Sequence, residues 1–205
     1  MKKNLMLMAV AGTLVALLIT GGVMAWFTDT ATITNSFTAG TVDVVLKEMG
    51  PNDEEWNFEG FRWINWNPGD ITKKEVVVES KGSKKTYVRI KATIAWTSNT
   101  PMISPLPTNN VTLDYNANDW LFYDPTPLNP TSGDEYYYYK DILEVNEVTT
   151  PFFNTVTLSG PLTTNMYQGK TLSVNVTTEA IQASNGAMLA QWSVNPALIV
   201  GLEQF

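Results

Sequence analysis

Apolar and polar residues alternate one by one over much of the chain, and this two-residue period constrains the fold more than any other feature. In residues 86–96 one parity holds Val88, Ile90, Ala92, Ile94 and Trp96, and the other holds Tyr87, Arg89, Lys91 and Thr93. Side chains of a β-strand point alternately to the two faces of its sheet, whereas a helical surface repeats every 3.6 residues. The segment therefore predicts a strand with one buried face.

Further runs with strand character are separated by turn-forming residues. The runs cover residues 30–46, 75–79, 111–115, 120–123, 135–139, 152–158 and 172–181. Asn67-Pro68-Gly69-Asp70 and Ser80-Lys81-Gly82-Ser83 have turn composition, and residues 97–110 and 124–134 predict loops. A short turn of helix is compatible with residues 141–149, and no amphipathic helix is evident elsewhere after residue 25. Many short strands predict an all-β antiparallel sandwich or jelly roll in a single domain.

The first of these runs changes parity partway along. Its apolar residues Ala31, Ile33, Phe37 and Ala39 share one parity, whereas Val42, Val44 and Leu46 share the other. Because a one-residue slip moves every side chain to the opposite face, this change predicts a bulge or bend at Gly40.

The segment before this strand has the organisation of a secretory signal. Lys2 and Lys3 precede an apolar run over residues 5–20, and small or aliphatic residues follow up to Ala25. This pattern predicts a signal-peptide helix over residues 1–25 that a signal peptidase cuts between Ala25 and Trp26. Residues 5–25 approach the length of a membrane span, but no positive stop-transfer cluster follows. We therefore expect membrane attachment before cleavage only, and a secreted product.

Composition limits the partners and the source of stability. Removal of residues 1–25 leaves 180 of the 205 residues, enough for one domain with a hydrophobic core. The chain has no cysteine, so a disulfide framework is excluded. Loss of Lys2 and Lys3 takes the net charge from −7 to −9. That acidity argues against nucleic acid and anionic membrane surfaces as partners.

Two sequence blocks resemble a known family. The first is Trp26-Phe27-Thr28-Asp29 followed by Phe37-Thr38-Ala39-Gly40-Thr41-Val42-Asp43, and the second is Asn67-Pro68-Gly69-Asp70 followed by Tyr87-Val88-Arg89-Ile90. Both blocks resemble the TasA/camelysin family of secreted biofilm-matrix proteins from Gram-positive bacteria. The resemblance implies a jelly roll rather than an immunoglobulin-like sandwich, processing by a SipW-type signal peptidase, and a role in matrix fibres. Camelysin relatives have also been classed as metallopeptidases.

The chain lacks two residue types that many catalytic sites require, because histidine and cysteine are both absent. Their absence removes histidine-based zinc sites, Ser-His-Asp triads and cysteine nucleophiles. No Ser-Lys motif stands out either. We therefore predict no enzyme activity, no catalytic residue and no cofactor.

Two features leave ligand binding open. Two groups of acidic residues could bind calcium weakly: Asp119, Asp124, Asp134 and Glu135, and the run Asn52-Asp53-Glu54-Glu55. Neither group matches a known calcium loop. Solvated acidic side chains on the surface are the simpler interpretation. Aromatic residues are abundant. We predict core packing for Trp63 and Trp66, and outward exposure for two of the four tyrosines at 136–139.

These observations define a main functional hypothesis and its alternatives. Residues 26–48 form an extended N-terminal strand segment, and residues 49–205 form the sandwich domain. We expect this segment to complete the sheet of an identical subunit through Phe27, Ala31, Ile33, Phe37 and Ala39. The resulting homopolymer would form fibres in the extracellular matrix or at the cell surface. An anchoring or accessory matrix protein is a possible further partner. The alternatives are a strand that folds into its own sheet, a monomeric module that binds polysaccharide or cell wall, and a camelysin-like metallopeptidase.

Overall fold

The computed structural model describes residues 28–32, 42–50, 66–98, 104–124 and 135–199. Within these ranges the chain forms ten β-strands, every one of them in antiparallel pairing, and one short α-helix. The strands are β1 (Thr28–Thr32), β2 (Val44–Met49), β3 (Ile71–Lys73), β4 (Glu75–Ser80), β5 (Thr86–Thr97), β6 (Val111–Tyr115), β7 (Trp120–Tyr123), β8 (Tyr136–Tyr139), β9 (Phe153–Leu158) and β10 (Thr171–Gln182). The helix is α1 (Ala187–Trp192), and 3-10 turns occur at Asn165–Tyr167 and Pro196–Leu198. The all-β prediction is confirmed.

One layer of the sandwich is a five-stranded sheet in the order β1-β10-β5-β8-β7. Its centre is the long pair β10 and β5, which are matched over twelve residues from Thr171 opposite Thr97 to Gln182 opposite Thr86. The first and last strands of the described chain are neighbours in this sheet.

The second layer consists of β2-β4 and β3-β9-β6. Backbone hydrogen bonds join these two pieces: the Lys74 amide donates to the Asn154 carbonyl at 2.8 Å, and the Phe152 amide donates to the Val76 carbonyl at 2.8 Å. Because β3 and β4 are consecutive and separated by Lys74 alone, they act as one interrupted strand between β2 and β9. The three-residue strand β3 was not among the predicted strands, since three residues are too few to show a period.

The main core lies between the two layers. The large sheet contributes Val88, Ile90, Val176 and Ala180, and the opposite layer contributes Val42, Val44, Leu46, Val76, Val78 and Val156. All of these side chains are buried. The predicted parities of residues 86–96 and of Val42, Val44 and Leu46 are therefore confirmed. Gly40 lies outside the described residues, so the predicted bend stays a prediction, although β1 and β2 belong to different sheets.

A charged pair is enclosed in the second layer. Glu48 continues the buried parity of β2, and its Oε2 accepts a hydrogen bond from Lys74 Nζ at 2.5 Å. The two side chains are almost fully buried. Burial lowers the pKa of the Lys74 ammonium, and the negative charge of Glu48 opposes that shift. The pair therefore depends on both partners, because either charge alone would be stranded in an apolar region.

The predicted turn at residues 67–70 is present. The Asp70 amide donates to the Asn67 carbonyl at 3.0 Å, and Asp70 Oδ2 accepts from the Asn67 amide at 2.8 Å. Gly69 has φ +99°, a conformation that glycine adopts without steric cost. The polar residues on both sides of Pro68-Gly69 thus close the turn that leads into β3.

Two predictions about helices are wrong. Residues 141–149 hold turns and isolated bridges at Leu143 and Val148 rather than helix. Conversely, α1 had no counterpart among the predictions. It spans six residues between Gly186 and Ser193, both in left-handed conformation, and buries Ala187, Met188 and Trp192. Six residues make fewer than two helical turns, so no 3.6-residue period can be recognised in its sequence.

Candidate functional site

The candidate site is the edge of the large sheet, where β1 lies against β10. Thr28 is opposite Ile181, Ala31 is opposite Thr178, and Thr32 is opposite Thr177. β1 therefore occupies the edge position of its own sheet, which is the intramolecular alternative left open by the sequence. Of the residues predicted to form the assembly strand, Ala31 lies in β1, whereas Phe27, Ile33, Phe37 and Ala39 lie outside the described residues. The predicted cleavage residues, Ala25 and Trp26, also lie outside them.

β10 presents one row of side chains to the main core. Val176, Thr178 and Ala180 are buried there, and Thr178 Oγ1 donates a hydrogen bond to the Arg89 carbonyl at 3.1 Å. Nearer the beginning of the strand, Leu172 and Val174 are partly buried and pack against the same core. The strand that receives β1 is thus apolar along its inner row.

The outer row of β10 contains Glu179, which holds a guanidinium group. Arg89 Nε and Nη2 both donate to Glu179 Oε2, at 2.8 and 2.6 Å, and Arg89 Nη1 donates to the Tyr138 hydroxyl at 3.2 Å. The Tyr136 hydroxyl donates to the other carboxylate oxygen, Oε1, at 2.9 Å. Glu179 therefore joins β10, β5 and β8 on the outer face, at the position opposite Thr30 of β1.

Aromatic rings enclose the same guanidinium. Its carbon atom lies 4.1 Å from the Tyr136 ring centroid and 4.4 Å from the ring centroid of Trp192 in α1. Burial, followed by the charge of Glu179 and the hydrogen bond to it, raises the pKa of Tyr136 far above its usual value. The Tyr136 hydroxyl thus stays protonated as a donor. We name Arg89, Glu179, Tyr136, Tyr138 and Trp192 the outer-face cluster.

The outer-face cluster corrects one prediction about exposed aromatics. Tyr136 and Tyr138 do point away from the main core, but both are buried in a second apolar cluster with Ile181, Met188 and Trp192. Among the described aromatic residues Phe122 is the exposed one, at 52%. Trp66 packs partly buried against the main core as predicted, and Trp63 lies outside the described residues. The alternation of strand residues correctly predicted that Tyr136 and Tyr138 point away from the main core. Their burial was not predicted, because no pattern in the sequence indicated α1, which packs over them.

Acidic side chains do not gather into a metal site in the described ranges. No three residues among Asp and Glu approach one another closely enough there to hold a metal ion. Asp119 accepts a hydrogen bond from the Asn116 side chain at 2.9 Å, within the turn between β6 and β7. Asp134 and residues 52–55 lie outside the described residues. Calcium binding therefore stays an expectation from the sequence.

The fold and the site together define an all-β sandwich protein whose N-terminal strand forms a sheet edge. A family model described as camelysin metallo-endopeptidase matches residues 1–99, from the start of the chain to just beyond β5. This match agrees with the resemblance to the TasA/camelysin family found in the two sequence blocks, both of which lie within the matched residues. Neither the curated proteins nor the solved structures gave a match.

The description of the family names a metallo-endopeptidase, whereas the whole chain lacks histidine and cysteine. Within the part of the chain that the structure describes, no helix is long and apolar enough to cross a membrane. The candidate signal helix at residues 1–25 falls outside that part.

Proposed function

We propose that this protein is a secreted structural subunit that assembles into extracellular matrix fibres by exchanging its N-terminal strand with identical subunits. The observation that carries the proposal is the position of β1. It is a five-residue strand at the edge of the large sheet, joined there to β10, and the next described strand, β2, lies in the other layer. An edge strand of this length is held by few backbone hydrogen bonds and can be replaced by the same segment of a second copy.

Donation of β1 by each subunit to the next would build open fibres, whereas reciprocal exchange between two copies would close a dimer. The donated segment and the acceptor edge on β10 are different surfaces of one subunit, so a contact between them is heterologous, and heterologous contacts that do not close into a ring form filaments. Intramolecular and intermolecular pairing would use the same β1–β10 contacts. The balance would therefore depend on subunit concentration and on a free N-terminus, which cleavage between Ala25 and Trp26 would supply.

The proposed role is structural rather than enzymatic. Zinc peptidases hold their metal mainly with histidine together with a carboxylate, and this chain has no histidine. A polysaccharide-binding module is the weaker alternative. It would need several exposed aromatic rings, and the tyrosines that could have supplied them are covered by α1.

Electron microscopy of the mature chain, residues 26–205, tests the proposal. Ile33→Asp and Phe37→Asp place a charge on the apolar parity of the segment, and Thr34→Asp places the same charge on the polar parity as the matched control. We expect filaments from the unchanged chain and from Thr34→Asp, and their loss in the other two variants, because an unpaired charge is costly to bury.

Thermal unfolding of the same variants separates exchange from simple destabilisation. Filament loss from Ile33→Asp and Phe37→Asp subunits that remain folded as monomers supports strand donation. Filaments that persist after deletion of residues 26–37 would contradict it. N-terminal sequencing of secreted material should begin at Trp26, and a chain that starts elsewhere would remove the proposed trigger.

A further inference from the structure

The turn that joins β10 to α1 contains an asparagine followed directly by a glycine. Asn185-Gly186 is the only such pair in the sequence. It lies between Gln182, where β10 ends, and Ala187, where α1 begins. Both residues are exposed, and both have left-handed backbone conformation, with φ +58° at Asn185 and φ +65° at Gly186. The pair therefore forms an open turn in contact with water.

Few contacts restrain this pair. Within the part of the chain that the structure describes, neither the Asn185 side chain nor the Gly186 amide makes a hydrogen bond. The Gly186 carbonyl alone is engaged, since it accepts from the Ala190 amide at 3.1 Å. A Cβ atom placed on Gly186 would meet nothing within 4 Å. The amide nitrogen of Gly186 can therefore approach the side-chain carbonyl carbon of Asn185.

Two other exposed asparagines lack this combination. Asn146 also has left-handed conformation, with φ +63°, but it is followed by Glu147, whose amide donates to the Glu144 carbonyl at 3.2 Å. Asn175 lies within β10 and is followed by the branched residue Val176. A side chain on the following residue and regular strand pairing both hinder rotation of the peptide unit, whereas glycine permits it.

We propose that Asn185 is a site of spontaneous deamidation. The Gly186 amide nitrogen, after giving its proton to solvent base, attacks Asn185 Cγ; the new N–Cγ bond closes a five-membered succinimide, the Cγ–Nδ2 bond breaks, and ammonia leaves. Water then opens the ring at one of its two carbonyl carbons. Opening at Cγ gives aspartate, and opening at the main-chain carbon gives isoaspartate, in which the backbone runs through Cβ.

The isoaspartate product changes the link between β10 and α1. The link consists of the four residues 183–186, and the new linkage adds one backbone atom and one negative charge to it. α1 buries Met188 and Trp192, and the Trp192 ring lies 4.4 Å from the Arg89 guanidinium carbon. A longer link therefore shifts the helix that covers the outer-face cluster, so deamidation loosens this cover as the protein ages.

Peptide mapping of the mature chain after incubation in mildly alkaline buffer tests the site. Lys170 is the last lysine or arginine, so trypsin leaves residues 171–205 as one peptide that contains Asn175, Asn185 and Asn195. Asn195 precedes Pro196, which has no amide hydrogen. Fragmentation in the mass spectrometer locates each conversion. We expect Asn185 to convert at least about tenfold more than Asn175 or Asn146, because glycine follows Asn185 alone.

A parallel incubation in urea shows whether the folded turn permits the reaction. We expect Asn185 to convert at a similar rate in the folded and the unfolded chain. Conversion in urea alone would show that the fold locks the turn, and conversion in neither sample would exclude the chemistry; both results overturn the proposal.

Asn185→Asp is the matched control for the effect on α1, because it adds the charge without the extra backbone atom. The aged protein, enriched in isoaspartate, should melt at a lower temperature than Asn185→Asp. Equal melting temperatures would overturn the inference that the lengthened link loosens α1.

Discussion

Replacing Arg89 by methionine should destabilise the sandwich far more than the loss of a surface ion pair would. The side chains of Arg89 and Glu179 are 12% and 20% exposed, and their closest approach is 2.6 Å. Methionine retains much of the arginine stem but leaves the carboxylate of Glu179 with the Tyr136 hydroxyl as its remaining hydrogen-bond partner in the outer-face cluster. A largely buried charge that has lost its counter-charge is the costly outcome of such a substitution.

The expected magnitude follows from the surroundings of the guanidinium. Removing one partner of a fully buried pair costs about 3–5 kcal/mol, and partial exposure of this pair reduces that to about 2–3 kcal/mol. Loss of the contacts with the Tyr136 and Trp192 rings adds about 0.5–1 kcal/mol each. We therefore expect Arg89→Met to lower the free energy of unfolding by about 3–5 kcal/mol.

The pair Lys85–Glu144 supplies a control at the same distance. Its atoms are also 2.6 Å apart, but the side chains are 47% and 53% exposed. Lys85→Met should cost less than about 1 kcal/mol because water screens the pair. Urea unfolding of the monomeric mature chain, followed by circular dichroism, measures both variants. Similar costs for the two substitutions would show that burial does not set the strength of the Arg89 pair. The double variant Arg89→Met/Glu179→Leu should recover part of the loss, and a strictly additive double variant would also refute the reasoning.

Three more predictions concern other sites. Burial, with a smaller contribution from Tyr137, raises the pKa of Tyr115 to about 12, so the unfolded chain loses this proton before the folded chain does as the pH rises above 10. The free energy of unfolding should therefore fall between pH 10 and 12. Urea unfolding at pH 8 and at pH 11.5 should show a fall that is about 1–2 kcal/mol smaller in Tyr115→Phe than in the unchanged chain. Ser193 ends α1 with φ +55°, so Ser193→Gly should raise the free energy of unfolding by about 0.5–1 kcal/mol. Gly186 has φ +65° with open space around it, so Gly186→Ala should lower the free energy of unfolding through backbone strain alone. Thermal melts measure both variants. Lys74→Met should cost about 3–5 kcal/mol in urea unfolding because Glu48 is left buried without its counter-charge, and Lys74→Met/Glu48→Leu should restore most of it.

The sequence predicted the strands, which leave a local pattern, better than it predicted the contacts between residues far apart in the chain. The two-residue period predicted the strands at 86–96 and 172–181 and the inward row of β5, because burial of one sheet face leaves a direct trace in the order of residues. The observed strands, Thr86–Thr97 and Thr171–Gln182, differ from these bounds by at most one residue at each end. The cover over Tyr136 and Tyr138 left no such trace. It depends on a six-residue helix that begins about fifty positions later in the chain.

The contacts of Arg89 were unpredictable for a related reason. Arg89 sits on the polar parity of β5, where an exposed side chain is the default expectation. Its partners come from β8, β10 and α1, and only the topology of the sheet brings them together. A single arginine opposite a single glutamate becomes identifiable as a pair once the β5–β10 register is known.

These contacts also bear on how a subunit could lose its own β1 and stay folded. Strand exchange requires an acceptor edge that keeps its shape while it is empty, because a disordered edge would have to be refolded at every addition. β10 meets this requirement from two sides: its pairing with β5 runs over all twelve residues, and the Glu179 side chain is held by Arg89 and Tyr136 on the outer face. None of these contacts involves β1. If the reasoning is right, Arg89→Met loosens the acceptor without touching the donor. Its subunits should then add to the end of a preformed fibre through their own β1 but accept the next subunit poorly, so that mixed growth stops early. Fibres that grow to normal length from Arg89→Met subunits alone would show that the acceptor edge does not need this support.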